Sequence, residues 1–218
     1  MVARESVPQT LTPTPHPAVR NMGFGPVRFT FSEALSMVEQ GILPEDSTIE
    51  LIDGVLVYRD RFDLRGSEIV EGTKHDYVVS MLGELDEGIK SERRHLRTQS
   101  ALICSESHAP IPDGMLLRGS RSDYRDRLPQ AADALCVIEV ADSSYERDAG
   151  EKLHAYARAG IERYIIANLR TRTAEVYTHP NPGAGAYLET QIIPENQQVA
   201  LRVGDDEYFS FLLIKVLP

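Results

Sequence analysis

Ala134-Leu135-Cys136-Val137-Ile138-Glu139-Val140-Ala141 is an apolar run interrupted by a single carboxylate. Its length and its Val and Ile content predict a strand buried on both faces. Strand side chains alternate in direction, which places Leu135, Val137, Glu139 and Ala141 in one row. A carboxylate in such a row loses most of its hydration, a cost that only a cation or a metal offsets. Downstream, Lys152 stands on a helical pattern; upstream, Pro112-Asp113 opens another apolar stretch. An Asp and a Glu from two strands, with a Lys from a helix, are the parts of a divalent-metal hydrolytic site. Oxygen ligands suit Mg²⁺ or Mn²⁺, and such a metal polarises a phosphoryl oxygen and activates water. The lysine would orient that water or stabilise charge developing at phosphorus. Each residue also has a plainer reading. Asp113 fits a Pro-Asp-Gly turn, Glu139 a salt-bridged core carboxylate, and Lys152 a surface partner of Asp148 four residues back.

Working outward, Ile49-Glu50-Leu51-Ile52 and Val55-Leu56-Val57-Tyr58 flank Asp53-Gly54, a strong hairpin signal. Glu50 is either a further metal ligand or the outward face of an edge strand. His75 precedes an amphipathic pattern running to Ile89, and either contacts phosphate or metal-bound water or makes a helix-start hydrogen bond. Thr30 to Glu33 has capping-box form, with Gly41 closing that helix. Strands are expected over 95–104 and 113–118. A helix follows over 147–159, capped by Ser143 or Ser144, with Leu153, Tyr156 and Ala157 inward. Strands at 164–167, 174–178, 187–193, 198–203 and 209–216 complete the chain. Mixed helical and strand patterns make the class α/β or α+β.

The chain has 218 residues, 42% of them hydrophobic, which is enough for one core. Residues 1–25 carry four prolines and few large hydrophobes, predicting a mobile arm ahead of a single domain over 26–218. No apolar stretch is long enough for a membrane span, no secretory signal opens the chain, and Cys104 and Cys136 make no disulfide framework. A cytoplasmic protein is expected. The net charge of −10 argues against broad nonspecific nucleic-acid binding. Residues 90–127 reverse that sign locally, with eight Lys and Arg against five Asp and Glu. That stretch reads either as a solvated face or as a phosphate-facing rim, with Arg93 and Arg94 as candidate phosphate contacts.

The series Glu50-Leu51-Ile52-Asp53-Gly54, His75, Pro112-Asp113, Glu139-Val140, Glu151-Lys152, Tyr156 and Ala159-Gly160 resembles the Uma2 family, over about Phe29 to Tyr177. This family belongs to the PD-(D/E)XK restriction-endonuclease-like superfamily. The resemblance implies a mixed central sheet flanked by helices, with an N-terminal hairpin and a strand-rich C-terminus. It implies metal-dependent endonuclease chemistry on DNA, Asp113 and Glu139 as metal ligands, Glu50 as an accessory acid, and frequently a homodimer. The superfamily lysine would fall at Ala141; Lys152 looks like its migrated substitute and so the catalytic residue. Asp142-Ser143-Ser144 and Asn168 depart from the family's usual residues. A nuclease fold retired to a binding or regulatory role is the alternative.

Overall fold

The computed structural model describes residues 26–44, 49–58, 61–62, 68–69, 72–204 and 207–218. The arm expected over 1–25 lies outside the described residues. Thr30 caps α1 (Phe31–Glu39) as a capping box: its hydroxyl accepts from the Glu33 N–H, and Glu33 accepts from the Thr30 N–H at 2.8 Å.

β1 (Ile49–Ile52) and β2 (Val55–Tyr58) pair antiparallel with Ile52 opposite Val55. The two turn residues, Asp53 and Gly54, have φ of 50° and 74°, the doubly positive geometry that a two-residue hairpin requires. Gly54 is also hemmed in. Its N–H donates to Ser107 O at 2.8 Å, and a Cβ would stand 2.8 Å from Arg28 Cβ. Gly54→Ala is therefore expected to cost about 1–3 kcal/mol, the range for a strained backbone position. Urea denaturation checks this, and an unchanged midpoint would show that the turn relaxes freely.

β3 (Arg61–Phe62) and β4 (Glu68–Ile69) form a short antiparallel pair. α2 (Thr73–Glu84) and α3 (Asp86–Ile89) follow. The central sheet holds β5 (Arg94–Thr98), β6 (Gly114–Arg118), β7 (Ala134–Ala141), β8 (Arg163–Asn168), β9 (Thr173–Asn181) and β10 (Ala186–Pro194), in the spatial order β10-β9-β8-β7-β6-β5. Only β7 and β8 run parallel, so the sheet is mixed. Their crossover is the helical segment of α4 (Tyr145–Arg147), a π-turn (Asp148–Lys152) and α5 (Leu153–Arg158). β11 (Gln198–Arg202) pairs with β12 (Tyr208–Leu212). None of the described helices is long and apolar enough to cross a membrane.

β7 is buried along its whole length, because the sheet is covered on both faces. Val78, Val79 and Leu82 of α2 pack with Ile138 and Val140 on one side. Tyr156 of α5 packs with Val137, Ala141, Tyr164 and Ile166 on the other. Glu139 therefore emerges on the α5 side, between Val137 and Ala141. Leu135 does not share that row: it joins the α2-side core, where a register shift between Leu116 and Leu117 breaks the alternation.

Other boundaries differ for local reasons. β5 stops at Thr98 rather than 104, because Gln99 has φ 47° and turns the chain away. The helix expected to 89 divides at Leu85, leaving Asp86 buried, where its carboxylate accepts the Leu96 N–H at 2.6 Å. Ser144 is helical and makes no cap; its hydroxyl donates to Asp148 Oδ2 at 2.6 Å instead.

Candidate active site

Glu139 meets two groups from the crossover helix. Lys152 Nζ lies 3.0 Å from Glu139 Oε1, and the Tyr156 hydroxyl donates to the same oxygen at 2.7 Å. The π-turn brings this about. One extra residue in the turn shifts the helix face, so Lys152, 1% exposed, points inward where regular spacing selects Leu153, which stays partly exposed. The same ammonium is 2.8 Å from Glu50 Oε1 and 4.0 Å from Asp148 Oδ1.

The hairpin that carries Glu50 lies outside the central sheet and is pinned to the segment leading into β6. Ala109 N donates to Leu51 O at 2.8 Å, and Ile111 N donates to Glu50 Oε1 at 2.7 Å. Two residues on stands Asp113, one step beyond the Gly114–Ile138 pair and thus beside Glu139. Asp113 Oδ2 accepts the Val140 N–H at 2.7 Å and lies 3.1 Å from His75 Nε2 at the start of α2. The outward and surface readings of Glu50 and Lys152 therefore do not hold, and His75 reaches Asp113 rather than solvent.

Three carboxylates, Glu50, Glu139 and Asp148, thus lie within 4.0 Å of one lysine, with Asp113 beside Glu139, and none of the four is more than 3% exposed. Burial pushes the Glu139 carboxyl up to about 8; Lys152 opposes that rise, and Asp148, Asp113 and Glu50 add to it. Burial alone would lower the Lys152 ammonium, but Glu139, Glu50 and Asp148 together hold it above the usual lysine value. Asp148 is raised too, mainly by burial. Lysine is therefore the charged member, and burial biases the Glu139 and Asp148 carboxyls toward keeping a proton. Glu50 Oε2 is buried with no hydrogen-bond partner among the described residues. The donors are hard oxygens, which match Mg²⁺ or Mn²⁺ rather than a thiophilic metal. Among the described residues no three Asp, Glu, His or Cys groups converge to cage a metal unaided.

The family model of Uma2, described as "Putative restriction endonuclease", matches residues 35–204. The chain belongs to the Uma2 family. Among solved structures, this Uma2 chain is similar to a crystal structure described as "a putative nuclease belonging to DUF820" from Anabaena variabilis ATCC 29413. The two are 15% identical, with 87% of this chain and 99% of that chain covered at a TM-score of 0.62. At that identity the likeness carries the fold. A search of curated proteins finds no match.

Two residues expected near phosphate are placed elsewhere in this Uma2 chain. Arg94 is paired with Arg118 at the end of β6 remote from Asp113, and is bound there by Glu207. Four residues of strand separate that end from Gly114, about 13 Å at the usual rise. Arg93 sits one residue further out and is exposed. Conversely, Asp148 and Tyr156 join the cluster without having been singled out for it. Both stand four residues from Lys152 and so share its side of the helix; Tyr156 lies inward as expected, and Asp148 is buried with it. Asn168, the departure from the family's usual Asp, accepts the Arg170 and Thr171 N–H groups and closes the turn after β8.

Proposed function

We propose that this protein is a metal-dependent endonuclease hydrolysing phosphodiester bonds of DNA, with Asp113 and Glu139 as metal ligands, Glu50 as an accessory acid and Lys152 as the catalytic lysine. The observation that carries this reading is the buried excess of carboxylate over ammonium around Glu139. A fold gains nothing from that excess unless a further cation joins it. Mg²⁺ or Mn²⁺ held there would polarise a phosphoryl oxygen and lower the pKa of a water. A magnesium site built from one or two carboxylates, completed by waters and substrate oxygens, is the usual form, which suits a set of fewer than three convergent groups.

The chain's own residues prepare the rest. His75 and the Val140 N–H hold Asp113 in one orientation, and the Tyr156 hydroxyl does the same for Glu139. Lys152 offers a compact ammonium to negative charge developing on the phosphoryl oxygens. One observation favours a retired fold acting as a binding or regulatory protein: Lys152 already bridges Glu50 and Glu139, neutralising part of the cluster internally.

Plasmid nicking separates the two. The purified protein should convert supercoiled DNA to open circles with Mg²⁺ or Mn²⁺ and not with EDTA, and Asp113→Asn should remove at least 100-fold of that rate, of the order expected for losing a group that acts in the transition state. Wild-type protein that binds DNA but leaves it intact with either metal would establish the retired reading.

A further inference from the structure

We propose that Arg97 forms a phosphodiester-backbone subsite beside the carboxylate cluster, gripping the strand next to the bond being cut. The proposal rests on the endonuclease reading and specifies how the substrate is held. Arg97 is on β5, an edge of the central sheet, directly opposite Met115. Asp113 precedes Met115 by two residues, and the pairing of β5 with β6 continues to it through the Gln99 N–H, which donates to Asp113 O at 3.3 Å. Positions related in this diagonal way are about 7–8 Å apart, within the span of an arginine side chain.

The surroundings of Arg97 are set up for an anion that the protein does not supply. An open cleft of about 330 Å³ is lined by Gly83, His95, Arg97, Thr98, Arg121 and Tyr124. Its aromatic wall is fixed: His95 Nδ1 lies 2.9 Å from Gly119 O, and the Tyr124 hydroxyl donates to Arg118 O at 2.6 Å. Arg121 is already neutralised by Asp86 at 2.5 Å, whose other oxygen takes the Leu96 N–H. Arg127, stacked over Tyr124, is held by Asp133 at 2.7 Å. Arg97 is half-buried, and among the described residues no carboxylate or carbonyl accepts from its guanidinium. A planar fork facing a cleft, at the strand position diagonal to Asp113, matches a phosphate, which it can hold with two parallel hydrogen bonds. It also offsets, where the backbone must pass, the repulsion that a chain of net charge −10 exerts on nucleic acid.

The test is fluorescence anisotropy of a labelled DNA duplex over a salt series, with Ca²⁺ replacing Mg²⁺ to hold back cleavage. Arg97→Gln should weaken binding about tenfold and reduce the log–log salt slope by about one. Arg97→Lys should keep the slope and recover only part of the affinity. Arg93→Gln, which removes the same charge from the remote end of the sheet, should match wild type in both. Mn²⁺ affinity by calorimetry should be equal in all four proteins, as expected of a residue that touches substrate and not metal. An unchanged slope in Arg97→Gln, or an equal loss in Arg93→Gln, overturns the assignment while leaving nuclease activity standing. Wild-type protein that neither binds nor cuts DNA overturns the endonuclease reading and this one with it.

Discussion

Lys152→Ala should be among the most damaging single substitutions in this protein, and its damage should come in two separable parts. In metal-free buffer it removes the ammonium that lies 2.8 Å from Glu50 and 3.0 Å from Glu139. Glu50 and Glu139 are then left without the ammonium that bridges them, a situation that typically costs about 3–5 kcal/mol. A surface pairing with Asp148 would instead have been worth only about 0.3–0.5 kcal/mol. Thermal unfolding in EDTA distinguishes these magnitudes. The second part appears on adding Mn²⁺. With the competing ammonium gone, the carboxylates should bind the metal more tightly than in wild type, and the metal should restore much of the lost stability. Cleavage should not return with it, because charge on the phosphoryl oxygens is then left unsatisfied in the transition state. Lys152→Arg should rescue poorly, since a planar guanidinium does not fit the space of a compact ammonium between two carboxylates. Full nuclease activity in folded, Mn²⁺-loaded Lys152→Ala would remove Lys152 from catalysis.

How Lys152 comes to stand there marks the boundary of what the sequence discloses. The strand around Glu139 is readable because its pattern is unambiguous, eight residues with one charge in an apolar row. The hairpin carrying Glu50 is readable because Asp53-Gly54 specifies its turn and hence its register. Asp113, Glu139, Lys152 and Glu50 could therefore be nominated together, and the fold brings them together. The direction Lys152 faces is another matter. It depends on a π-turn over Asp148–Lys152 that no local residue preference announces. Local charge points to Arg93 and Arg94, and charge says nothing about which end of a strand it occupies. That required the β5–β6 register, set by contacts distant in sequence, and the same register is what brings Arg97 closer to Asp113 than Arg94. The early end of β5 was hidden for a related reason, because a positive φ at Gln99 is a choice of the tertiary fold.

Glu139→Gln should abolish cleavage yet make the metal-free protein more stable at alkaline pH. Burial, with Asp148, Asp113 and Glu50 nearby, raises the folded-state pKa of Glu139 from 4.5 to about 8 despite Lys152. A carboxyl whose pKa is raised on folding favours the native state only while it is protonated there. Its contribution is therefore fully present below the unfolded value near 4.5, and it is lost progressively as pH climbs through about 8. Each pKa unit corresponds to about 1.4 kcal/mol, so wild type should lose several kcal/mol relative to Glu139→Gln across that window. The amide keeps an oxygen for Lys152 and Tyr156 but has no proton to release. The quantity to measure is the difference in unfolding free energy between the two proteins in EDTA, from pH 5 to 9. It should be small at the acid end and grow toward the alkaline end in favour of the variant. Mn²⁺ should reverse the order. It would stabilise wild type increasingly as pH rises, because binding displaces the proton from Glu139, and it should do little for Glu139→Gln. Parallel stability curves in EDTA would mean that Glu139 is ionised throughout and fully satisfied by Lys152. The carboxylate excess would then no longer call for a second cation, and the case for a metal at this site would fall with it.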